Sequence, residues 1–126
     1  MRADQNIGSV EFDNLFNSSR FEPDVIGVTI ESGEGILIRG TVLSINTATN
    51  KCVVLGTEAE AGEVLEPFAI LTDTIDATST EAYGTAYRTG DFNRNAIIVN
   101  DGYELSTADE LALRKVGIMI SEAVEY

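Results

Sequence analysis

The stretch from Tyr83 to Ile120 constrains the fold most, because it alternates short strand patterns with one helix pattern. Residues 83–87 alternate along the chain, residues 96–99 form a short apolar run, and residues 118–120 are apolar again. Turn-forming clusters of Asn, Asp and Gly separate the runs. The order strand, turn, strand, helix, strand predicts an α+β domain that is mainly β.

The helix pattern in this stretch predicts its own ends. Thr107 is the predicted N-cap, and Glu110 completes a capping box three residues later. Arg114 and Lys115 suit the negative end of the helix dipole, and Gly117 suits a left-handed stop. The side chains expected to face the core share helical spacing and are Ala108, Leu111, Ala112 and Val116.

The rest of the body, residues 25–126, is rich in strand signals. Four segments have strand composition: Val25–Ile30, Ile36–Ile45, Lys51–Leu55 and Phe68–Leu71. Gly40 predicts a bulge or bend within the second of these segments. The NTATN turn predicts that the second and third segments form a hairpin. Residues 72–81 are rich in Thr, Asp and Ser, which is typical of a linker.

Residues 1–24 are interpreted as an arm, because they sustain neither a strand nor a helix period. Three of the five phenylalanines lie there, and a merely disordered tail would be poor in aromatic residues. Either these side chains pack back on the body, or the arm is mobile alone and becomes ordered on a partner. The candidate contact residues of the arm are Val10, Phe12, Leu15, Phe16 and Phe21.

Charge and hydropathy disfavour several classes of partner. The 126 residues carry a net charge of −13, from 21 acidic and 8 basic side chains. Binding to a phosphate backbone needs clustered Lys and Arg, so we expect no nucleic-acid partner. No apolar run approaches the roughly 18 residues of a membrane span, and residues 1–16 lack the continuous apolar segment of a signal peptide.

The side-chain inventory also limits the possible chemistry. The chain has no histidine and one cysteine, which removes most zinc sites and every Ser-His or Cys-His nucleophile pair. Cys52 lies in a β-branched run and is expected to be a buried small hydrophobic residue. Hydrolysis by a pair of carboxylates, for instance Asp91 and Glu104, would need two acids at catalytic distance in a cleft, and nothing in the sequence places them so. We therefore expect that the protein is not an enzyme.

Two acidic segments raise the question of calcium. Residues 56–67 contain four glutamates, but the spacing fits a solvated acidic loop equally well. Residues 91–95 match the first half of an EF-hand loop, yet Ala96 replaces the required Gly and Gly102 replaces the bidentate Glu. A turn rich in Asn and Asp is the better interpretation of residues 91–95.

Four motifs in one order resemble the head decoration proteins of tailed bacteriophages. They cover roughly two-thirds of the chain, from about Gly33 to Ile120. The motifs are Arg39-Gly40-Thr41-Val42-Leu43, Pro67-Phe68-Ala69-Ile70-Leu71, Arg88-Thr89-Gly90-Asp91-Phe92-Asn93 and Leu113-Arg114-Lys115-Val116-Gly117-Ile118. Asp91 stands where the family usually has Glu in its "GefN" turn.

The resemblance implies a compact, β-tulip-like body with one short C-terminal helix and an extended N-terminal arm. It implies a homotrimer on the outside of the expanded phage head, at three-fold positions, bound to the major capsid protein and stabilising the shell. It also implies assembly in the host cytoplasm, with no catalytic residues and no cofactor. The arm residues would then contact the capsid. The alternative is a non-viral acidic β-domain that binds a peptide or a carbohydrate, with Tyr83, Tyr87 and Tyr103 as a stacking platform.

Overall fold

The computed structural model describes residues 15–16 and 23–121. The strands are β1 (Val25–Ile30), β2 (Gly35–Leu37), β3 (Val42–Asn46), β4 (Cys52–Val54), β5 (Leu65–Leu71), β6 (Ile75–Ala77), β7 (Ala82–Tyr87), β8 (Gly90–Asn93) and β9 (Ile118–Ser121). The one helix in this part of the chain is α1 (Thr107–Lys115). The prediction of a mainly β body with one short helix is confirmed.

Five strands close into a barrel in the order β1-β4-β3-β5-β7. Strand β7 closes it by pairing antiparallel with β1 along six residue pairs, from Val25–Tyr87 to Ile30–Ala82. Alternate side chains of the strands point inward and form the first core. Its buried residues are Val28, Ile30, Leu37, Leu43, Cys52, Val54, Ala69, Leu71, Ala77 and Ala86.

Gly40 divides the segment that was expected to be one long strand. Its φ of +96° places it in the left-handed region, and the Thr41 amide donates to the Ile38 carbonyl oxygen at 3.1 Å, which closes a turn. Residues before the turn pair with β6, whereas residues after it enter the barrel. Two predictions were therefore wrong: residues 36–45 are not one strand, and residues 72–81 contain a strand.

The predicted hairpin is confirmed between β3 and β4. Ile45 pairs with Cys52, and the Asn46 side chain accepts hydrogen bonds from the amides of Ala48 and Thr49. Asn50 completes the turn with a φ of +62°, a conformation that asparagine tolerates better than most residues.

A second core lies outside the barrel wall. Val42 and Ile70 face outward from β3 and β5, and the parallel pair β8–β9 together with α1 covers them. The run at residues 96–99 packs partly on this core but forms only one isolated bridge, between Ile98 and Thr41. The strand predicted there is wrong, because the strand of this region is β8, one turn earlier in the chain.

Helix α1 begins one residue earlier than expected. Ser106 is the N-cap, and its side chain accepts from the Asp109 amide while the Asp109 carboxylate accepts from the Ser106 amide. Leu113 is the helix residue that becomes buried, whereas Leu111 and Val116 are 49% and 41% exposed. The predicted core stripe is therefore wrong. The stop at Gly117 is confirmed by its φ of +105°.

A glutamate side chain completes the parallel seam of the barrel. Strands β1 and β4 pair at Ile30–Cys52, and the Glu31 amide adds one bond to the Cys52 carbonyl oxygen. Beyond that point, Glu34 Oε1 accepts from the Val54 amide at 2.9 Å. Partial burial, followed by the charge of Glu31, raises the pKa of Glu34, although the hydrogen bond from Val54 opposes the shift.

We expect Glu34→Gln to stabilise the fold near neutral pH. The raised pKa means that the folded state binds a proton more tightly than the unfolded chain, so wild-type stability falls as pH rises through the folded pKa of Glu34. The amide keeps an acceptor for Val54 and removes that dependence, so its advantage should vanish below about pH 4, near the unfolded pKa. Glu34→Ala, by contrast, should cost about 1–3 kcal/mol because the Val54 amide loses its partner. Urea denaturation between pH 3 and 8 measures both, and a Gln variant less stable than wild type at pH 7 would contradict the expectation.

Candidate functional site

The candidate site is the point where the N-terminal segment meets the body. The Asn93 amide donates to the Leu15 carbonyl oxygen at 2.8 Å, and Phe16 forms an antiparallel bridge with Phe92 of β8. The Leu15 side chain is only 2% exposed and belongs to the second core. This pair, which we call the anchor, lies along the outer edge of β8.

The Phe16 ring lies among two other aromatic rings and one cation. Its centroid is 4.9 Å from that of Tyr87, in an edge-to-face arrangement, and 4.8 Å from that of Phe92. The Arg39 guanidinium lies 5.9 Å from the Phe16 ring and 5.4 Å from the Tyr87 ring, and it donates to the Tyr87 hydroxyl. Such contacts add aromatic and cation–π attraction to the burial of the rings.

Two glycines leave the space that the anchor occupies. A Cβ at Gly40 would lie 3.4 Å from Leu15 Cδ1 and 3.1 Å from the Ala96 carbonyl oxygen. A Cβ at Gly90 would lie 2.9 Å from Phe92 Cε2 and 3.2 Å from Phe16 Cε1. The body is therefore shaped to receive Leu15 and Phe16 at this edge.

The structure places two of the five candidate contact residues. Leu15 and Phe16 pack on the body, which is the arrangement expected if the arm folds back. The other three, Val10, Phe12 and Phe21, lie outside the described residues, so their role in contacting the capsid stays a prediction. Sequence patterns did not predict that Phe16 packs against Phe92, although Phe92 lies in a motif that carries the family resemblance.

The remaining candidate groups do not assemble into a chemical centre. Across residues 15–16 and 23–121, no three acidic, cysteine or histidine side chains are grouped so that they could hold a metal ion. Cys52 is fully buried as expected, and desolvation raises the pKa of its thiol to about 11. Within the same residues, no helix is both long and apolar enough to cross a membrane.

The three tyrosines proposed as a stacking platform have different environments. Tyr83 is 76% exposed, whereas Tyr87 packs against Phe16 and Phe92. The Tyr103 ring lies over Gly56, and its hydroxyl donates to the Asp109 carboxylate, which raises the pKa of Tyr103. Packing inside the protein accounts for two of the three rings, as is usual for tyrosines.

A partly buried ion pair between Arg94 and Glu110 fixes the segment that follows β8. Arg94 holds the Glu110 carboxylate with two parallel hydrogen bonds of 2.6 and 2.8 Å, so the loop after β8 is tied to α1. The Arg94 side chain, acting mainly through these bonds, holds the pKa of Glu110 below its usual value. Strand β8, the anchor and the helix thus form one connected unit.

Comparison with known proteins identifies the family. The family model described as bacteriophage lambda head decoration protein D matches residues 7–118, which include the anchor, the barrel and the helix. The search of curated proteins finds no match. Because the family match covers most of the chain, it confirms the resemblance seen in the four motifs. The chain belongs to the bacteriophage lambda head decoration protein D family and is a structural protein of the phage head.

Proposed function

We propose that the protein binds the outside of the expanded phage head as a homotrimer, at three-fold positions, and stabilises the shell. Its partner there is the major capsid protein. The family match over residues 7–118 carries this proposal. The described residues contribute a closed barrel on which Leu15 and Phe16 are packed.

The anchor supports a contact role for the residues around it. Leu15 is buried and Phe16 is partly buried on the body, so they fix where the arm leaves rather than acting as free contacts. Val10, Phe12 and Phe21 then remain as apolar residues of the arm for the shell. The anchor edge of β8 would keep the arm in a constant position relative to the barrel.

The energetics of binding favour a trimer over a monomer that binds through a single arm. Fully burying three apolar arm side chains yields at most about 5–9 kcal/mol. Ordering some twenty arm residues, at about 1–2 kcal/mol each, exceeds that gain. Strand addition to the shell supplies backbone hydrogen bonds, and three tethered arms raise the effective concentration of each arm at its site. Binding should therefore depend on correctly spaced target sites.

Deletion of residues 2–13 tests the arm without removing the anchor. We expect the truncated protein to bind expanded, undecorated heads at least about tenfold more weakly, a loss of about 1.4 kcal/mol or more in binding free energy. Its melting temperature should stay close to that of the full chain, because Leu15 and Phe16 are retained. Co-sedimentation with the heads measures the binding, and a thermal scan measures stability.

Leu15→Ala is the matched control for this deletion. It removes a fully packed leucine from the second core and should cost about 2–5 kcal/mol of folding free energy while leaving residues 2–13 in place. Below its lowered melting temperature this variant should still bind heads. Full-affinity binding by the truncated protein would instead contradict the role of Val10 and Phe12.

A further inference from the structure

One outer face of the barrel carries no charge on a strongly acidic protein. The outward side chains of β1 and β7 alternate with the core residues, and cross-strand pairs such as Thr29–Tyr83 lie side by side. We call this surface the β1–β7 face; its residues are Val25, Gly27, Thr29, Tyr83 and Thr85. Neither strand, VIGVTI or AYGTAY, contains an ionisable acid or base other than tyrosine, whereas the whole chain has a net charge of −13.

Each end of the β1–β7 face carries an ion pair within the protein. At one end, Arg88 Nη2 lies 3.3 Å from Asp24 Oδ2. At the other end, Lys51 forms an ion pair with Glu81. The face is therefore an uncharged strip with an ion pair at each end, and Glu31, which follows β1, adds one further carboxylate near Lys51. Its large side chains stand out into solvent: Tyr83 is 76% exposed and Val25 is 52% exposed.

Gly27 supplies an independent observation at the centre of this face. It is an exposed strand residue whose φ is not in the left-handed region, so its backbone does not require glycine. A Cβ there would meet only the Gly84 carbonyl oxygen, at 4.0 Å, which is ordinary contact. Glycine inside a strand weakens the strand and often marks a site where another backbone approaches closely. Nothing in the described part of this chain makes that approach.

We propose that the β1–β7 face packs against a second copy of this chain, which identifies a contact surface for the trimer of the proposed function and rests on it. Two copies that each carry a charge of −13 repel one another, so they can approach closely only where carboxylates are absent or paired. The β1–β7 face meets that condition. Interface cores are typically depleted in charge and enriched in tyrosine, with a polar rim, and the ion pairs at the two ends match that rim.

The β1–β7 face is too small to be the whole interface, so it would form only the centre of the contact. Two strands of six residues cover roughly 20 Å by 10 Å, or about 200 Å². A stable interface buries about 800 Å² on each partner, so surrounding residues must contribute. Because β1 directly follows the arm, this packing would also bring the C-terminal ends of neighbouring arms close together.

Gly27→Val tests the proposal, because its effects on folding and on assembly have opposite signs. A β-branched residue suits an exposed strand, so at high dilution the melting temperature should equal or exceed that of wild type. The added side chain would hold the second backbone away, so dissociation of the oligomer should shift to at least about tenfold higher protein concentration. Light scattering across a dilution series measures the shift. Unchanged dissociation in this folded variant would overturn the proposal.

A charge-matched pair of variants separates this effect from general repulsion. Gly27→Glu and Ala108→Glu each add one negative charge, the first on the β1–β7 face and the second on the exposed first turn of α1. Only Gly27→Glu should dissociate the oligomer; equal effects of the two variants would overturn the proposal.

The wild-type protein distinguishes failure of this inference from failure of the proposed function. A wild type that is monomeric at every concentration, and whose copies bind heads independently of one another, would overturn the β1–β7 contact and leave head binding intact. A wild-type trimer that never co-sediments with expanded heads would overturn the proposed function. In that case the Gly27 variants would still decide whether the β1–β7 face holds the copies together.

Discussion

Phe92→Ala is expected to lower the free energy of unfolding by about 3–5 kcal/mol. Phe92 is fully buried, and it has the largest of the fully buried side chains among the described residues. Its ring contacts Phe16 and Tyr87, with centroids 4.8 and 5.8 Å away, and it belongs to the core that joins α1 to the barrel. Removing it leaves a cavity at the place where three separate segments of the chain meet.

The measurement for Phe92→Ala is urea denaturation, with Tyr83→Ala as the control. Tyr83 is also an aromatic strand residue, but it is 76% exposed, so its truncation should change stability by no more than about 0.5 kcal/mol at concentrations where the protein is monomeric. A loss below about 1 kcal/mol at Phe92 would mean that the second core does not depend on this ring, contrary to its full burial.

The same ring gives a test of the anchor through a double mutant. Phe16→Ala and Phe92→Ala should not be additive, because each removes the partner of the other, and aromatic pairs contribute about 0.5–1.5 kcal/mol beyond their burial. A coupling energy near zero would show that Phe16 leaves the body in solution. The anchor would then have no fixed position on β8.

Local patterns were sufficient for the hairpin and nearly sufficient for the helix. The β3–β4 hairpin depends on residues 42–54 alone, because the turn between the strands is built from the Asn46 side chain and the left-handed Asn50. The helix start was wrong by one residue because Ser106 and Thr107 are adjacent and both can serve as N-caps. The carboxylate of Asp109 decides between them, since it bonds back to the Ser106 amide.

Partners that are distant in the chain explain the larger errors. Gly40 was expected to bend one strand, but the halves on its two sides find different partners, β6 and the barrel, which no local period reveals. Helical spacing in α1 selected a core stripe that did not include Leu113, the helix residue that the body buries. Leu111 and Val116 remain exposed although their spacing is that of a core face.

The candidate site shows the same limit. The phenylalanines of the arm could be recognised from composition, because disordered segments seldom contain so many aromatic residues. Which of them pack on the body could not, since Leu15 and Phe16 are held by Phe92, Asn93 and Tyr87 far along the chain. The family resemblance covered residues 33–120 and supplied the function, but it did not reach the anchor.

Gly56→Ala is expected to be the most damaging of the small substitutions, at about 2–5 kcal/mol. Its φ of +101° is unfavourable for alanine, and the added Cβ would lie 2.5 Å from Tyr103 Cγ. Left-handed strain accounts for roughly 1–2 kcal/mol, and overpacking adds about 1–3 kcal/mol. The ring cannot move away freely, because the Tyr103 hydroxyl donates to Asp109.

Gly62→Ala separates the collision from the backbone strain at Gly56. Gly62 has a similar φ of +80°, but no atom lies within 4 Å of the position of an added Cβ. Its replacement should therefore cost only the strain, about 1–2 kcal/mol. Urea denaturation of both variants gives the difference, and Gly56→Ala should also weaken the Ser106 cap, since Asp109 serves both the cap and the tyrosine. Equal losses of stability in the two variants would show that the Tyr103 ring moves aside without an energetic cost. The contact of the β4–β5 loop with α1 through Tyr103 would then not hold the helix in place.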